Sequence, residues 1–235
     1  VHAAIDARGS AAPASSTASA AASSTNASTA ASTATSTTLH QPSAPRCAPT
    51  RAMALRSTVY KAELQIADLD RHHYADHVLT LARHPSETEE RLMVRLLAFA
   101  LHADEALTFG NGLSTADEPD LWRRDLTGAI ELWIDVGLPD PKLVRKACGR
   151  AARVVVIAYG GAKADVWWSQ AADDLARSPN LQVLLLEPAQ TAALARFAHR
   201  QMRLGVTIQD GSALIASDAD SLSIEPRVLQ TGSDA

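Results

Sequence analysis

The chain has 235 residues, 22 Lys plus Arg against 26 Asp plus Glu, 46% hydrophobic residues and two cysteines. A mildly acidic chain is a poor match for a protein that holds nucleic acid by bulk charge, so any such role must rest on a local basic patch. No apolar run approaches 18 residues, which excludes a membrane-spanning helix by sequence.

Composition changes sharply near Met53. Residues 11 to 38 are Ala, Ser or Thr apart from Pro13 and Asn26. Such a stretch has no large side chain to offset a chain entropy of about 1 to 2 kcal/mol per residue, and a disordered leader over residues 1–52 is expected. Its few acids and scattered Arg resemble a transit peptide only faintly, because the amphipathic face is absent. Met53 is therefore the expected functional start, with residues 1–52 read as linker or as upstream sequence read through. A single domain over residues 53–230 and a disordered tail over 231–235 complete the expected organisation. Cys47 and Cys148 fall in leader and helix, so no disulfide framework is expected, and a reducing cytoplasm fits.

Residues 57–68 alternate, with Tyr60, Ala62, Leu64 and Ile66 on one face, which predicts a half-buried strand. Asp68 to Arg71 turn the chain, and Ala75, Leu79 and Leu81 continue a second strand of an N-terminal hairpin. Ser86 and Glu89 match a capping box opening a helix that carries Met93, Leu96, Leu97 and Ala100. A loop with Gly110, Asn111 and Gly112 precedes the acidic segment Asp117, Glu118, Pro119 and Asp120. Ile130, Leu132, Ile134 and Val136 then alternate with Glu131, Trp133 and Asp135 in a strand with one partly acidic face.

Asp140 and Pro141 read as N-cap and first position of a helix to about Ala151, with Lys142, Arg145 and Lys146 on its polar side. Val154 to Ala158 predicts a strand covered on both faces. A helix over 164–176, a buried strand over Leu181 to Leu186 and a helix over 188–200 follow. Asp210 and Gly211 turn a C-terminal hairpin between Leu204 to Gln209 and Ser212 to Ala216. The order implies a mixed α+β domain, with one mixed central sheet flanked by helices.

In this layout Glu90, Asp120 and Asp135 stand near Lys142 and Lys146. Two or three carboxylates with a lysine suit metal-assisted phosphodiester hydrolysis, because hard oxygens hold Mg²⁺ and a cation supports charge on the phosphate. The competing structural readings are a solvated or capping role for Glu90, a turn role for Asp120, and salt bridges from Asp135 and Glu131 to Lys142, Arg145 or Lys146. His73 and His77 fall on a strand and do not read as zinc ligands, and Trp167 and Trp168 read as helix packing. Neither a Walker A loop, a dinucleotide glycine fingerprint, HExxH nor Gly-x-Ser-x-Gly is present.

The runs Ala82 to Arg91, Asp117 to Trp122, Glu131 to Pro139 and Ile208 to Gly211 resemble the YaeQ family, in order and across residues 53 to 230. The resemblance implies a variant of the PD-(D/E)XK restriction-endonuclease-like fold and a bacterial family. It implies Pro119 and Asp120 as the Pro-Asp pair, Asp135 as the strand carboxylate and Glu90 as the acid of the first helix. Glu131 is a second possible ligand. The lysine of the pattern would stand at position 137, where the chain has Gly137; Lys146 on the next helix is the candidate replacement. The implied metal, held by Glu90, Asp120 and Asp135, is Mg²⁺ or Mn²⁺, and the implied partner is nucleic acid through Lys142, Arg145 and Lys146. A non-catalytic, regulatory use of the same fold, on nucleic acid or a protein partner, is the alternative.

Overall fold

The computed structural model describes residues 57–110 and 118–232. The expected leader, most of the tail and the loop residues Asn111, Gly112 and Asp117 lie outside the described residues. Fifteen described elements follow in chain order: β1 (Thr58–Asp68), β2 (His73–Arg83), α1 (Glu89–Leu101), β3 (Leu107–Phe109), β4 (Leu121–Arg124), β5 (Ile130–Val136), α2 (Pro141–Cys148), β6 (Ala151–Ala158), α3 (Ala162–Leu175), β7 (Leu181–Leu185), α4 (Pro188–Ala195), β8 (Gln201–Gln209), β9 (Ser212–Ala216), β10 (Ser221–Ile224) and β11 (Arg227–Gln230).

The strands form two sheets where one was expected. The first has the order β10-β9-β8-β1-β2 and the second β11-β7-β6-β5-β4-β3. Parallel pairing of β1 with β8 joins the two terminal hairpins into the first sheet. Its long strands alternate buried and exposed, as befits a sheet with one covered face. In the second sheet β5, β6 and β7 are parallel, and β6 buries five consecutive residues, Val154 to Ala158. Such a run is what cover on both faces demands.

Helix α1 lies between the sheets. Every residue from Leu92 to Ala100 is buried, in one core with Leu64 and Val206 of the first sheet and Ile134 and Ile157 of the second. A helix whose apolar residues run round its whole circumference needs cover on all sides. The opposite face of the second sheet carries a separate core, in which Val144 and Ala147 of α2 and Ala171 and Leu175 of α3 pack on Trp133, Val154 and Val156. Trp167 and Trp168 pack against that core, and the Trp167 indole N–H donates to the Pro139 carbonyl at 2.8 Å.

Two local readings are corrected, and four short strands are added. Thr88, not Ser86, caps α1: its hydroxyl accepts from the Arg91 amide at 3.1 Å, while Ser86 pairs with the His84 ring at 2.6 Å. Glu87 turns into the interior, so the helix begins after it. Helix α4 ends at Ala195 rather than 200, because β8 pairs with β1 from Gln201 onward. The short strands β3, β4, β10 and β11 carry too few residues for periodicity to show. The Asp-Gly hairpin is as expected: Asp210 and Gly211 have φ of 52° and 74°, and the Asp70 carboxylate accepts both their amides at 2.8 and 2.9 Å.

Candidate functional site

The C-terminal ends of β5 and β6 and the start of β4 meet the N-terminal end of α1. In parallel sheets this is the end at which ligands usually bind. Leu121 of β4 pairs with Ile134 of β5, which brings Asp120, just ahead of β4, beside Asp135. Gly110 lets the chain ahead of β4 pass close by. Its amide donates to the Asp120 carbonyl at 2.9 Å, and a side chain there would collide with the Pro119 carbonyl.

Asp120 is 6% exposed and fully engaged. Arg91 Nη2 donates to its Oδ1 and Oδ2 at 2.7 and 2.9 Å, and the Val136 amide donates to Oδ2 at 2.8 Å. The network extends to Glu87, whose Oε1 accepts from Arg91 Nη1 at 3.1 Å and from Arg95 Nη1 at 2.8 Å. Arg95 Nε lies 3.6 Å from Asp120 Oδ1. Two carboxylates and two guanidinium groups cancel, which is the condition for burying them.

Asp135 is placed differently. Trp133 Nε1 donates to its Oδ2 at 3.0 Å, and no salt bridge to it occurs among the described residues. Burial raises its pKa to about 6; the Trp133 bond and the nearby Arg91 oppose this, while the negative Asp120 adds to it. Tyr159, directly after β6, is pushed up to about 12 chiefly by burial, with Arg91 opposing and Glu90, Asp120 and Glu87 adding. Asp135 thus feels Asp120 and Arg91, while Tyr159 feels Arg91, Glu90, Asp120 and Glu87. Glu90 Oε1 accepts from Thr191 Oγ1 of α4 at 2.6 Å, which aims the carboxylate toward α4.

Of the remaining candidates, Glu131 stands at the far end of β5, where Arg123 Nε donates to it at 2.8 Å, and it lines a separate cleft of about 850 Å³ with Arg71, Arg153 and His102. Lys142, Arg145 and Lys146 are exposed along α2; Arg145 lies 3.8 Å from Asp174. Gly137 has φ of 110°, a conformation that side chains rarely adopt, and its amide donates to the Ile157 carbonyl at 2.9 Å. The backbone itself thus disfavours a lysine at this position. Sequence reasoning missed Glu87, Arg91 and Arg95. Their signal was present: Arg95 is a lone charge in the run Leu92 to Leu101, two turns from Glu87 with Arg91 between.

A chain of aromatic contacts leads outward from Asp135. Trp133 meets Trp122 edge to face at 6.4 Å, and Arg124 lies 3.5 Å over the Trp122 ring. Arg150 lies 5.5 Å over Trp133.

Fold and site together define an α/β protein of two mixed sheets with four helices, in which a neutral carboxylate–arginine cluster adjoins a carboxyl without a salt bridge. The family model for the YaeQ protein matches residues 53–226, and the chain belongs to the YaeQ family. The chain is 47% identical over 173 residues to the protein of Salmonella typhi named "Uncharacterized protein YaeQ", covering 74% of this chain and 96% of that one. The protein of the same name from Escherichia coli K12 is 46% identical over 172 residues, 73% of this chain and 95% of that one. The crystal structure of YaeQ from Xanthomonas axonopodis pv. citri superposes with a TM-score of 0.73 at 55% identity, covering 74% of this chain and 98% of that one. That from Pseudomonas syringae gives 0.71 at 36%, covering 74% and 97%. Among the described residues no helix is long and apolar enough to cross a membrane.

Proposed function

We propose that this domain is a nuclease-like module of the PD-(D/E)XK type, acting in the cytoplasm on a phosphodiester of nucleic acid with Mg²⁺ or Mn²⁺. The observation that carries the reading is the neighbourhood of Asp120 and Asp135, two carboxylates whose mutual repulsion contributes to the raised pKa of Asp135. A divalent cation relieves that repulsion.

The donor chemistry fits such an ion. Carboxylate oxygens are its usual ligands, and Mg²⁺ commonly takes one or two carboxylates together with substrate phosphate. Among the described residues no group of three or more His, Cys, Asp or Glu is gathered to hold a metal. Asp135 and Asp120 would hold the ion, Glu90 being turned to Thr191 of α4, and phosphate oxygens would complete its shell. Bound there, it would neutralise phosphate charge and acidify a water.

The chain's own groups divide the remaining work. Arg91 offers guanidinium charge to a phosphate. Asp135, raised by burial and without a salt bridge, is the carboxylate whose charge the ion would relieve most. Tyr159, pushed up to about 12 by burial, stays protonated. Lys146 is the basic partner of the scheme, since position 137 disfavours one. Trp122 with Arg124 offers a surface on which a base can stack.

The test is to assay single- and double-stranded DNA and RNA with both metals, and to titrate Mn²⁺ by calorimetry, for parent and Asp135→Asn. Carboxylate-dependent metal binding and cleavage are expected; equal cleavage by parent and variant removes the site. One observation favours a second reading, a non-catalytic module binding nucleic acid or a protein partner: both Asp120 oxygens already serve Arg91 and the Val136 amide. That reading predicts nucleic-acid or partner binding without Mn²⁺ binding or turnover.

A further inference from the structure

The two sheets have four edges among the described strands, and three are short. Strands β10 and β11 have four residues each and β3 has three, with a register shift in the pairing of β11. Short and bulged edges are the ordinary means of blunting an open ladder. The fourth edge, β2, has 11 residues and contains no Pro, Gly or Lys. Its pairing with β1 runs unbroken through all eleven positions, from His73 to Arg83. Two of the more exposed apolar side chains of the molecule stand on its outer face, Val78 at 80% and Tyr74 at 65%. A long, regular edge with apolar side chains beside it is a template for another strand.

We infer that this strand is where two copies of the chain meet, β2 pairing antiparallel with β2 of the second copy across a two-fold axis at Val78. The two five-stranded sheets then become one sheet of ten strands. Directly opposed residues in an antiparallel pair share a face, so the axis must pass through a residue rather than between two. Val78 is the middle residue of β2, and an axis there pairs the strand along its whole length.

In this register Val78 meets its own copy, the large Tyr74 meets the small Ala82, and Asp76 meets Thr80. No carboxylate faces a carboxylate. The strand is thus complementary to itself in size along its outer face, and its one carboxylate meets a hydroxyl, as an isologous contact allows.

The experiment is sedimentation velocity on the full chain across the micromolar range. A dimer is expected. Val78→Asp sets a carboxylate against its own copy at the axis and is expected to weaken association at least about tenfold, with an unchanged circular dichroism spectrum. A register-specific readout comes from single cysteines in a Cys47→Ser, Cys148→Ser background. Val78→Cys is expected to form a disulfide-linked dimer on oxidation, and Tyr74→Cys is not, since Ala82 faces it. A monomer at every concentration, a dimer indifferent to Val78→Asp, or cross-linking at Tyr74→Cys instead of Val78→Cys overturns the assignment. The first of these outcomes leaves the edge to a different strand.

Discussion

Asp120 and Asp135 stand beside each other at one end of the second sheet, and their surroundings are opposite. Asp120 is buried in a network of two carboxylates and two guanidinium groups, with a backbone amide on one oxygen. Asp135 receives an indole N–H and no salt bridge among the described residues, and its pKa rises to about 6. A cancelled set of charges belongs to the architecture, because each member is needed to bury the others. A desolvated carboxyl without a salt bridge is costly to its own fold, and such groups concentrate where a ligand is bound.

The strongest way to break this comparison is to unbalance the cancelled side. Arg95→Met leaves the buried Glu87 with Arg91 alone and the cluster with an excess negative charge. A loss of about 3 to 5 kcal/mol is expected in denaturant unfolding. Adding Glu87→Gln should restore much of it. A loss below about 1 kcal/mol would mean that the network is not the structural element described above.

Asp135→Asn should do the reverse. The carboxyl has its pKa raised from 3.8 to about 6 in the fold. Between those values the folded protein keeps a proton that the unfolded chain releases. The parent therefore loses stability as pH rises through that window, and the loss is complete above it. The variant is expected to be more stable than the parent by about 3 kcal/mol at pH 7, with most of the gain gone at pH 4. Chemical denaturation at the two pH values measures it, and saturating Mn²⁺ should narrow the gap if the parent alone binds the ion. A gain independent of pH would remove the desolvation argument.

The smallest effect concerns the position where the family resemblance implies a lysine. Gly137→Lys should cost about 1 to 3 kcal/mol through its backbone, where φ is 110°. Thermal unfolding reads the cost. A neutral substitution would show that Gly137 stands there for reasons other than conformation.

Much of this site was legible beforehand, though not as a site. Asp135 on a strand with Trp133, and Asp120 after Pro119, are readable from alternation and turn chemistry. That they stand side by side depends on β4, a four-residue strand too short to announce itself. Glu131 shares the face of Asp135 by periodicity, yet Arg123 holds it at the other end of the strand. Periodicity gives a face and no partner. Arg91 and Arg95 were overlooked because charges on a helix ordinarily mark its solvated side, whereas α1 has no solvated side over Leu92 to Ala100, and Glu87 because it precedes the cap.

The sequence by itself determined the local elements whose signal is carried by neighbouring residues: the alternation of β1 and β5, the Asp140-Pro141 start of α2, the Asp210-Gly211 turn and the continuous apolar run of β6. It also separated strands with one covered face from strands with two. Only the tertiary structure decided that these belong to two sheets with α1 between them, since β1 and β8 pair across 140 residues of chain. The same holds for the two carboxyls. Whether an acid is cancelled or left without a counter-charge depends on groups brought to it by packing, and no spacing along the chain records that.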